Sequence, residues 1–384
     1  MEQEEALRQA AIRMHLQGES VQVIVGKIDR TRQWVYKWIV RYKENPRGNW
    51  FKSESNAPKQ PVRKIDDAVE ESVISIRKNL QDKPYSQKGA ISIMYEFERL
   101  GMKSPSISTV NRILHRNGLI NPSSVRTRRE TEYPTYFLDV QQMDLVGPKY
   151  LKGGFRFYIY NIIDTRTHYA GVYPILDKSA ESIVSCLIDF WRNYQMPDFL
   201  QMDNELSFRG SNRHPRGLGL VMRVTLLNGV SPIFIPPAEP WRNGIVEKFN
   251  DRVLRYFYNK QSFNSFAELC KKAKDFTCFH NENHRYSSQA NQTPKQMIDK
   301  ILHKSQLEKE IDLKQRIRID GGRIIFIRFI RSDLKLAVLN TVFKVKPELK
   351  YCYVVCEINL DKHLLIITQN TNVHHVFEFV MPMS

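Results

Sequence analysis

Near residue 136 the hydrophobic pattern of this 384-residue chain changes period, from helical spacing to short apolar runs, and the switch demands more than one domain. Before it, Leu7, Ala10, Ala11 and Met14 recur at helical intervals and Gly18 supplies a stop. Ser20 is placed to cap a second helix carrying Val21, Ile24, Val25 and Ile28, and Thr31 a third with Val35, Trp38, Ile39 and Tyr42 on its inner side. Three helices with a short gap before the last predict a helix-turn-helix unit over residues 1–50. Residues 45–63, rich in Pro, Gly, Ser, Asn and Lys, read as a linker. A second unit follows over 64–120, with helices over about 66–79, around Ala90–Phe97, and from Ser108 to Gly118.

From 136 to 300 the runs Phe137–Val146, Phe155–Asp164 and His168–Ile175 read as a three-strand meander. Helices over about 180–194 and 217–227 then alternate with the strands Phe199–Asp203 and Ser231–Ile235. Two long helices are expected over Asn243–Lys260 and Phe266–Glu282, and the pattern is that of a mixed α/β sheet. Residues 320–384 return to short strands at close spacing, which predicts a small C-terminal β-barrel.

Composition narrows the partners. Lys and Arg number 58 against 41 Asp and Glu, a net charge of +17, which points to nucleic acid or an anionic surface. No apolar run reaches the 18 residues of a spanning helix, and no basic amphipathic anchor or lipidation motif appears, so no membrane attachment is expected. The start, Met-Glu-Gln-Glu-Glu, has neither the basic nor the apolar part of a signal peptide, and the five cysteines follow no paired-knuckle spacing. A reducing, cytoplasmic setting is expected.

Three acids stand out by context. Asp144 sits near the end of the first strand, Asp203 closes a later one, and Glu247 lies in the first turns of a helix whose Val246, Phe249 and Val253 are placed to dock on the sheet. Each alone reads first as a turn, cap or surface residue. Together, in this order on these elements, they suit hard divalent cations that bridge phosphate oxygens.

Residues 136–300 resemble the integrase core shared by retroviral integrases and many insertion-sequence transposases. The resemblance is carried by Asp144, the Ile163-Asp164 strand end, Met202-Asp203-Asn204, the run from Ile235-Pro236-Pro237 to Asn243-Gly244, Glu247-Lys248-Phe249-Asn250, and Gln292-Thr293-Pro294. The helix Trp34-Val35-Tyr36-Lys37-Trp38 also fits the bacterial transposases. What the resemblance implies is an RNase H-like fold and a DDE triad of Asp144, Asp203 and Glu247, which would bind two Mg²⁺, with Mn²⁺ a common substitute. It further implies DNA 3′-end cleavage and strand transfer of a mobile element into target DNA. The partners would be double-stranded terminal repeats and target DNA. At least a dimer on DNA follows from joining two ends at one target, and the location would be bacterial and nucleoid-associated. Retroviral integrases carry an N-terminal zinc domain whose place is taken here by helix-turn-helix units.

Contacts to DNA are expected from Arg32, Gln33, Tyr36, Lys37 and Arg41 in the first unit and from Thr109, Asn111, Arg112 and Arg116 in the second. Asn243, one turn before Glu247, reads as a positioning or substrate residue or as a helix cap. Lys248 and Arg252 read as phosphate contacts or as a solvated helix face, Asp164 as a turn residue, and Glu205 as a further metal-ligand candidate. Among the basic C-terminal residues, Arg323, Arg328, Arg331 and Lys335 are read as DNA contacts. Neither Cys278, His280 and His284 nor Cys352 and Cys356 supply four zinc ligands at a usual spacing, so no structural zinc is expected. Rival readings are a domesticated DNA-binding regulator, which the intact trio argues against, and a hybrid-cutting nuclease, which leaves the N-terminal units unexplained.

Overall fold

A computed structural model describes residues 2–53, 65–120, 132–210, 216–301 and 304–381. The chain divides into two compact units, Met1–Asp66 and Asp67–Ser384. The first unit holds α1 (Glu2–Leu16), α2 (Val21–Ile28) and α3 (Arg32–Glu44) around Ala11, Ile12, Ile24, Val35 and Trp38. Thr31 caps α3 by accepting the N–H of Trp34, while Ser20 stands at the start of α2 with no side-chain bond to it.

The second unit opens with α4 (Asp67–Asp82), α5 (Ala90–Arg99) and α6 (Ile107–Arg116), which close over Val73, Ile76, Ile93, Phe97, Val110 and Leu114. The α/β part follows. β1 (Val140–Tyr150), β2 (Arg156–Asp164) and β3 (Ala170–Ile175) form the antiparallel meander, and α7 (Ala180–Asn193) leads to β4 (Phe199–Met202). After α8 (Leu206–Arg209) and α9 (Leu220–Leu227) comes β5 (Ser231–Phe234), and then α10 (Gly244–Arg252), α11 (Phe266–Asn283) and α12 (Pro294–Ile298). The single helix expected over Asn243–Lys260 is broken. Past α10 the chain makes a π turn over Val253–Phe257 and a 3-10 turn over Tyr258–Lys260. The wider π turn lets Phe257 reach Phe263 and Phe276 in the core.

The C-terminal strands are β6 (Arg323–Phe329), β7 (Lys335–Val338), β8 (Thr341–Lys344), β9 (Tyr353–Asn359), β10 (Leu364–Gln369) and β11 (Asn372–Glu378). They do not form the expected barrel. β6 joins the core sheet parallel to β5, through Ile233 opposite Ile325 and Phe234 opposite Phe326. The result is one open sheet of order β11-β10-β9-β6-β5-β4-β1-β2-β3, with β7 and β8 as a separate ribbon. The physical reason lies in β6 itself: Ile324, Ile325, Phe326 and Ile327 are all buried, so this strand is covered on both faces, and a strand of that kind belongs inside a sheet. The stacked rings of Phe234 and Phe326, 4.9 Å apart, seal the junction. One apolar core runs from Met143, Tyr160 and Trp191 through Phe326 to Val354 and Leu365. On the other face, Val246, Phe249 and Val253 pack with Leu269 and Phe276 of α11 against Ile159 and Val172.

Candidate active site

β1 and β4 run side by side in parallel with Gln142 opposite Gln201, so Asp144, two residues further along β1, and Asp203, the residue after β4, lie beyond the same end of the paired stretch. Glu247 is brought to them by α10, whose start is moored to both strands. Gln142 Oε1 accepts the N–H groups of Ile245 and Val246, each at 3.1 Å, satisfying donors that a first helical turn leaves free. Asn243 donates to the carbonyl of Met143 at 3.0 Å and accepts from Gln201 Nε2 at 3.2 Å. Its side chain makes no helix cap, and it is only 2% exposed with both ends of the amide engaged. The expected DNA contact at Asn243 therefore gives way to a positioning role, fixing where α10 begins.

A residue that sequence reasoning passed over supports Asp144. Asn250 Nδ2 donates to Asp144 Oδ2 at 2.7 Å, and buried Asn161 on β2 donates to Asn250 Oδ1 at 2.7 Å. Its signal was present: Asn250 lies three residues after Glu247, on the same side of the helix. Asp203 accepts the N–H of Glu205 at 2.8 Å, which sets the turn into α8. Glu205 itself is paired with Lys178 at 2.6 Å. Asp164 accepts the N–H groups of Arg166 and Thr167, which makes it a structural turn residue.

Asp144 feels the charges of both other acids, and Glu247 feels that of Asp203. Burial, joined by the charges of Glu247 and Asp203, pushes the Asp144 carboxyl up to about 7 against the pull of the Leu145 N–H and Asn250. Asp203 is raised by burial and by Glu205, with Lys178 opposing. Glu247 is raised by burial, then by Asp251 and Asp203. Crowded carboxylates that hold their protons too tightly are the condition a divalent cation relieves. Among the described residues no three acidic, histidine or cysteine side chains are drawn tightly enough around one point to hold an ion, so the trio is in electrostatic reach without being a closed ligand set. Its donors are oxygens only, the chemistry that Mg²⁺ and Mn²⁺ accept.

Beside Glu247 the surface turns basic. A cavity of about 510 Å³ lies between α10 and the β2–β3 turn, lined by His168, Lys248, Arg252, Tyr286 and Gln289 among others, with no acidic side chain on its wall among the described residues. Arg252 stacks 4.8 Å over the Tyr286 ring and donates to its hydroxyl. Burial, followed by the charge of Arg252, holds the nearby His280 and His284 well below the usual histidine range. Both rings are buried at the end of α11, and His280 meets the carbonyl of His168 at 3.2 Å.

In α3, Gln33, Tyr36 and Lys37 are exposed, Arg32 reaches Gln22 at 3.0 Å, and half-buried Arg41 reaches the carbonyl of Lys52 at 3.3 Å. In α6, Asn111 and Arg112 are exposed. Thr109 and Ser106 bond each other in the helix cap, and exposed Arg116 is paired with Glu70. Among the C-terminal residues read as DNA contacts, Arg328 is 7% exposed and faces inward, which rules it out as a surface contact.

Two family models match the chain: an integrase core domain over residues 228–294, which includes Glu247, and a homeodomain-like domain over residues 2–50. No curated protein matches it. Among solved structures, the chain is similar to the HTLV-2 integrase catalytic core domain in complex with magnesium, in a trimeric form, at 12% identity over 41% of this chain and 95% of that one, with a TM-score of 0.32. The catalytic core domain of BIV integrase matches at 15% identity over 42% and 94%, with a TM-score of 0.31. A simian T-cell lymphotropic virus intasome in complex with the PP2A regulatory subunit B56 gamma matches at 12% identity over 77% and 96%, with a TM-score of 0.36.

Proposed function

We propose that this integrase- and transposase-like chain is a DDE polynucleotidyl transferase that cleaves the 3′ ends of a mobile element and joins them to target DNA. The observation that supports the reading is the placement of Asp144 on β1, of Asp203 just past the end of the parallel strand β4, and of Glu247 on a helix whose start is hydrogen-bonded to both strands. Asp144, Asp203 and Glu247 are the residues that would hold two Mg²⁺ or Mn²⁺. Bound there, such ions lower the pKa of a nucleophilic oxygen and neutralise charge gathering on the phosphate.

The chain's own residues do the positioning. Asn250 turns Asp144 toward the site, Gln142 and Asn243 fix the register of α10, and Glu247 follows from that register. Lys248 and Arg252 offer charge to the phosphates of the DNA strand next to the scissile one. The exposed residues Gln33, Tyr36 and Lys37 of α3, and Asn111 and Arg112 of α6, are the candidates for reading the terminal repeat in the major groove. Two such ends brought to one target require at least a dimer on DNA. No helix among the described residues is long and apolar enough to cross a membrane.

Strand transfer from a precut element end into a plasmid, in Mg²⁺, tests the reading. Asp203→Asn is expected to lower the joining rate by at least about a hundredfold, because one carboxylate oxygen of the ligand set becomes an amide. Joining at the normal rate by this variant would overturn the assignment.

A further inference from the structure

The strands after the core hold the turn after Asp203 and the segment that leads into the helix of Glu247. Arg328, on β6, is buried, and its guanidinium spends its donors on neutral oxygens: Asn204 Oδ1 at 2.9 Å and the carbonyls of Ile235 at 3.2 Å, Ile327 at 2.9 Å and Ala337 at 3.3 Å. Asn204 in turn donates to the Ile235 carbonyl at 2.6 Å. Arg328 thus ties the residue next to Asp203 to the residue that follows β5. A buried cation facing only neutral acceptors is costly, and an apolar side chain would fill the space without that cost. What the guanidinium adds is direction, a rigid fork spanning two loops at once.

A second tie, on the neighbouring strand β9, acts on the other loop. The hydroxyl of Tyr353 lies 3.0 and 2.8 Å from the two carboxylate oxygens of Glu239 and accepts from Arg242 Nη2 at 2.9 Å. Arg242 also donates to Glu239 at 3.1 Å and lies 4.7 Å over the Tyr353 ring. Glu239 and Arg242 belong to the segment between β5 and α10, and the Arg242 carbonyl accepts from Gln201 at 3.1 Å. Tyr353 therefore closes the bend through which the chain delivers Asn243 and then Glu247.

We propose that Arg328 and Tyr353 are positioning residues which set Asp203 and Glu247 at the spacing a divalent cation requires, so that the C-terminal strands are part of the catalytic apparatus. The inference rests on the reading of the acids as the metal site. Order imposed by these ties before the cation arrives is order the cation need not impose, and loosening them appears as weaker metal binding.

The test is Mn²⁺ binding to the full chain without DNA, read from the EPR signal of the free ion, with a thermal melt of every variant. Arg328→Met is expected to weaken the tightest Mn²⁺ site at least fivefold, and Arg328→Lys, which keeps the charge but not the fork, by a smaller factor. Tyr353→Phe, which removes only the hydroxyl, is expected to weaken it two- to fivefold. Asp203→Asn is the reference and is expected to abolish that site. A purely structural role would lower the melting temperature and leave the affinity of the folded fraction unchanged. If Asp203→Asn abolishes the site while Tyr353→Phe and a folded Arg328 variant bind as the wild type does, the positioning role is wrong and the metal site stands. If Asp203→Asn itself leaves binding unchanged, the metal reading falls instead. Should Arg328→Met not fold, Tyr353→Phe and Asn204→Ala decide the matter, since the first removes only the hydroxyl of a buried ring and the second trims a half-buried amide.

Discussion

The first trihelical unit closes its core on itself, around Trp38, Ile24 and Ala11, whereas the second lends a side chain to the α/β core that follows it. Tyr85, on the turn between α4 and α5, meets Phe276 at 5.6 Å and Phe279 at 6.1 Å on α11, and Phe257 at 6.2 Å in the π turn. Arg285 adds an ion pair to Glu98 at 3.4 Å and lies 4.3 Å over Tyr95. Similar helical patterns thus end in different mechanical situations.

The sharpest way to break the comparison is to unfold one unit without the other. Trp38, 3% exposed, is the largest side chain of the first core, and Trp38→Ala is expected to cost about 3–5 kcal/mol. A core of some fifty residues supplies no more than about that, so the first unit should lose its structure outright. Calorimetry should show its transition vanish while that of the second unit keeps its midpoint. A single transition that moves as a whole would refute the independence of the two. A smaller effect is expected from Tyr85→Ala, which removes a ring packed against three others and should destabilise the docking by about 2 kcal/mol. Limited proteolysis should then cut between α6 and β1 faster than in the wild type, with the α/β core still resistant. Unchanged cleavage would mean that docking relies on residues other than Tyr85.

How much of this was legible beforehand divides along the same physical line. Elements whose making is local were read from the residues: the cap at Thr31, the stops at Gly18 and Gly118, and the apolar side of α10 formed by Val246, Phe249 and Val253. The order of Asp144, Asp203 and Glu247 and the elements that carry them were legible for the same reason, although Asp144 lies inside β1, which runs on to Tyr150, and not near its end as expected. What escaped depends on pairing between distant segments. Nothing in residues 323–329 alone says that Ile325 pairs with Ile233, and the short strands after 320 read equally as a barrel. The break at Val253 escaped because a π turn adds one residue to the helical repeat, and the apolar spacing of Val253 and Phe257 fits the unbroken helix as well. Gln142 and Asn250 were missed because a buried amide looks like a surface one until its partners arrive from another element.

The smallest expected effect separates residues proposed to contact DNA from residues that hold their unit together, and α6 carries a candidate of each kind. Arg112 is exposed, bonding only its own helix at the Ser108 carbonyl at 3.3 Å, and its charge is available to a phosphate. Arg116 and Asn117 both engage Glu70 of α4, so the Arg116 charge is already answered within the unit. Removing one cation from a DNA phosphate reduces the slope of log affinity against log salt by about 0.9. Arg112→Ala is therefore expected to lower that slope by about one, with little change in melting temperature, in gel shifts on the element's own ends. Arg116→Ala should leave the slope unchanged and cost at most about 1 kcal/mol of stability, the range of an exposed ion pair. Equal changes in slope from both substitutions would place Arg116 on the DNA and Glu70 as its support, and α6 would then read with its last turn as well as its first.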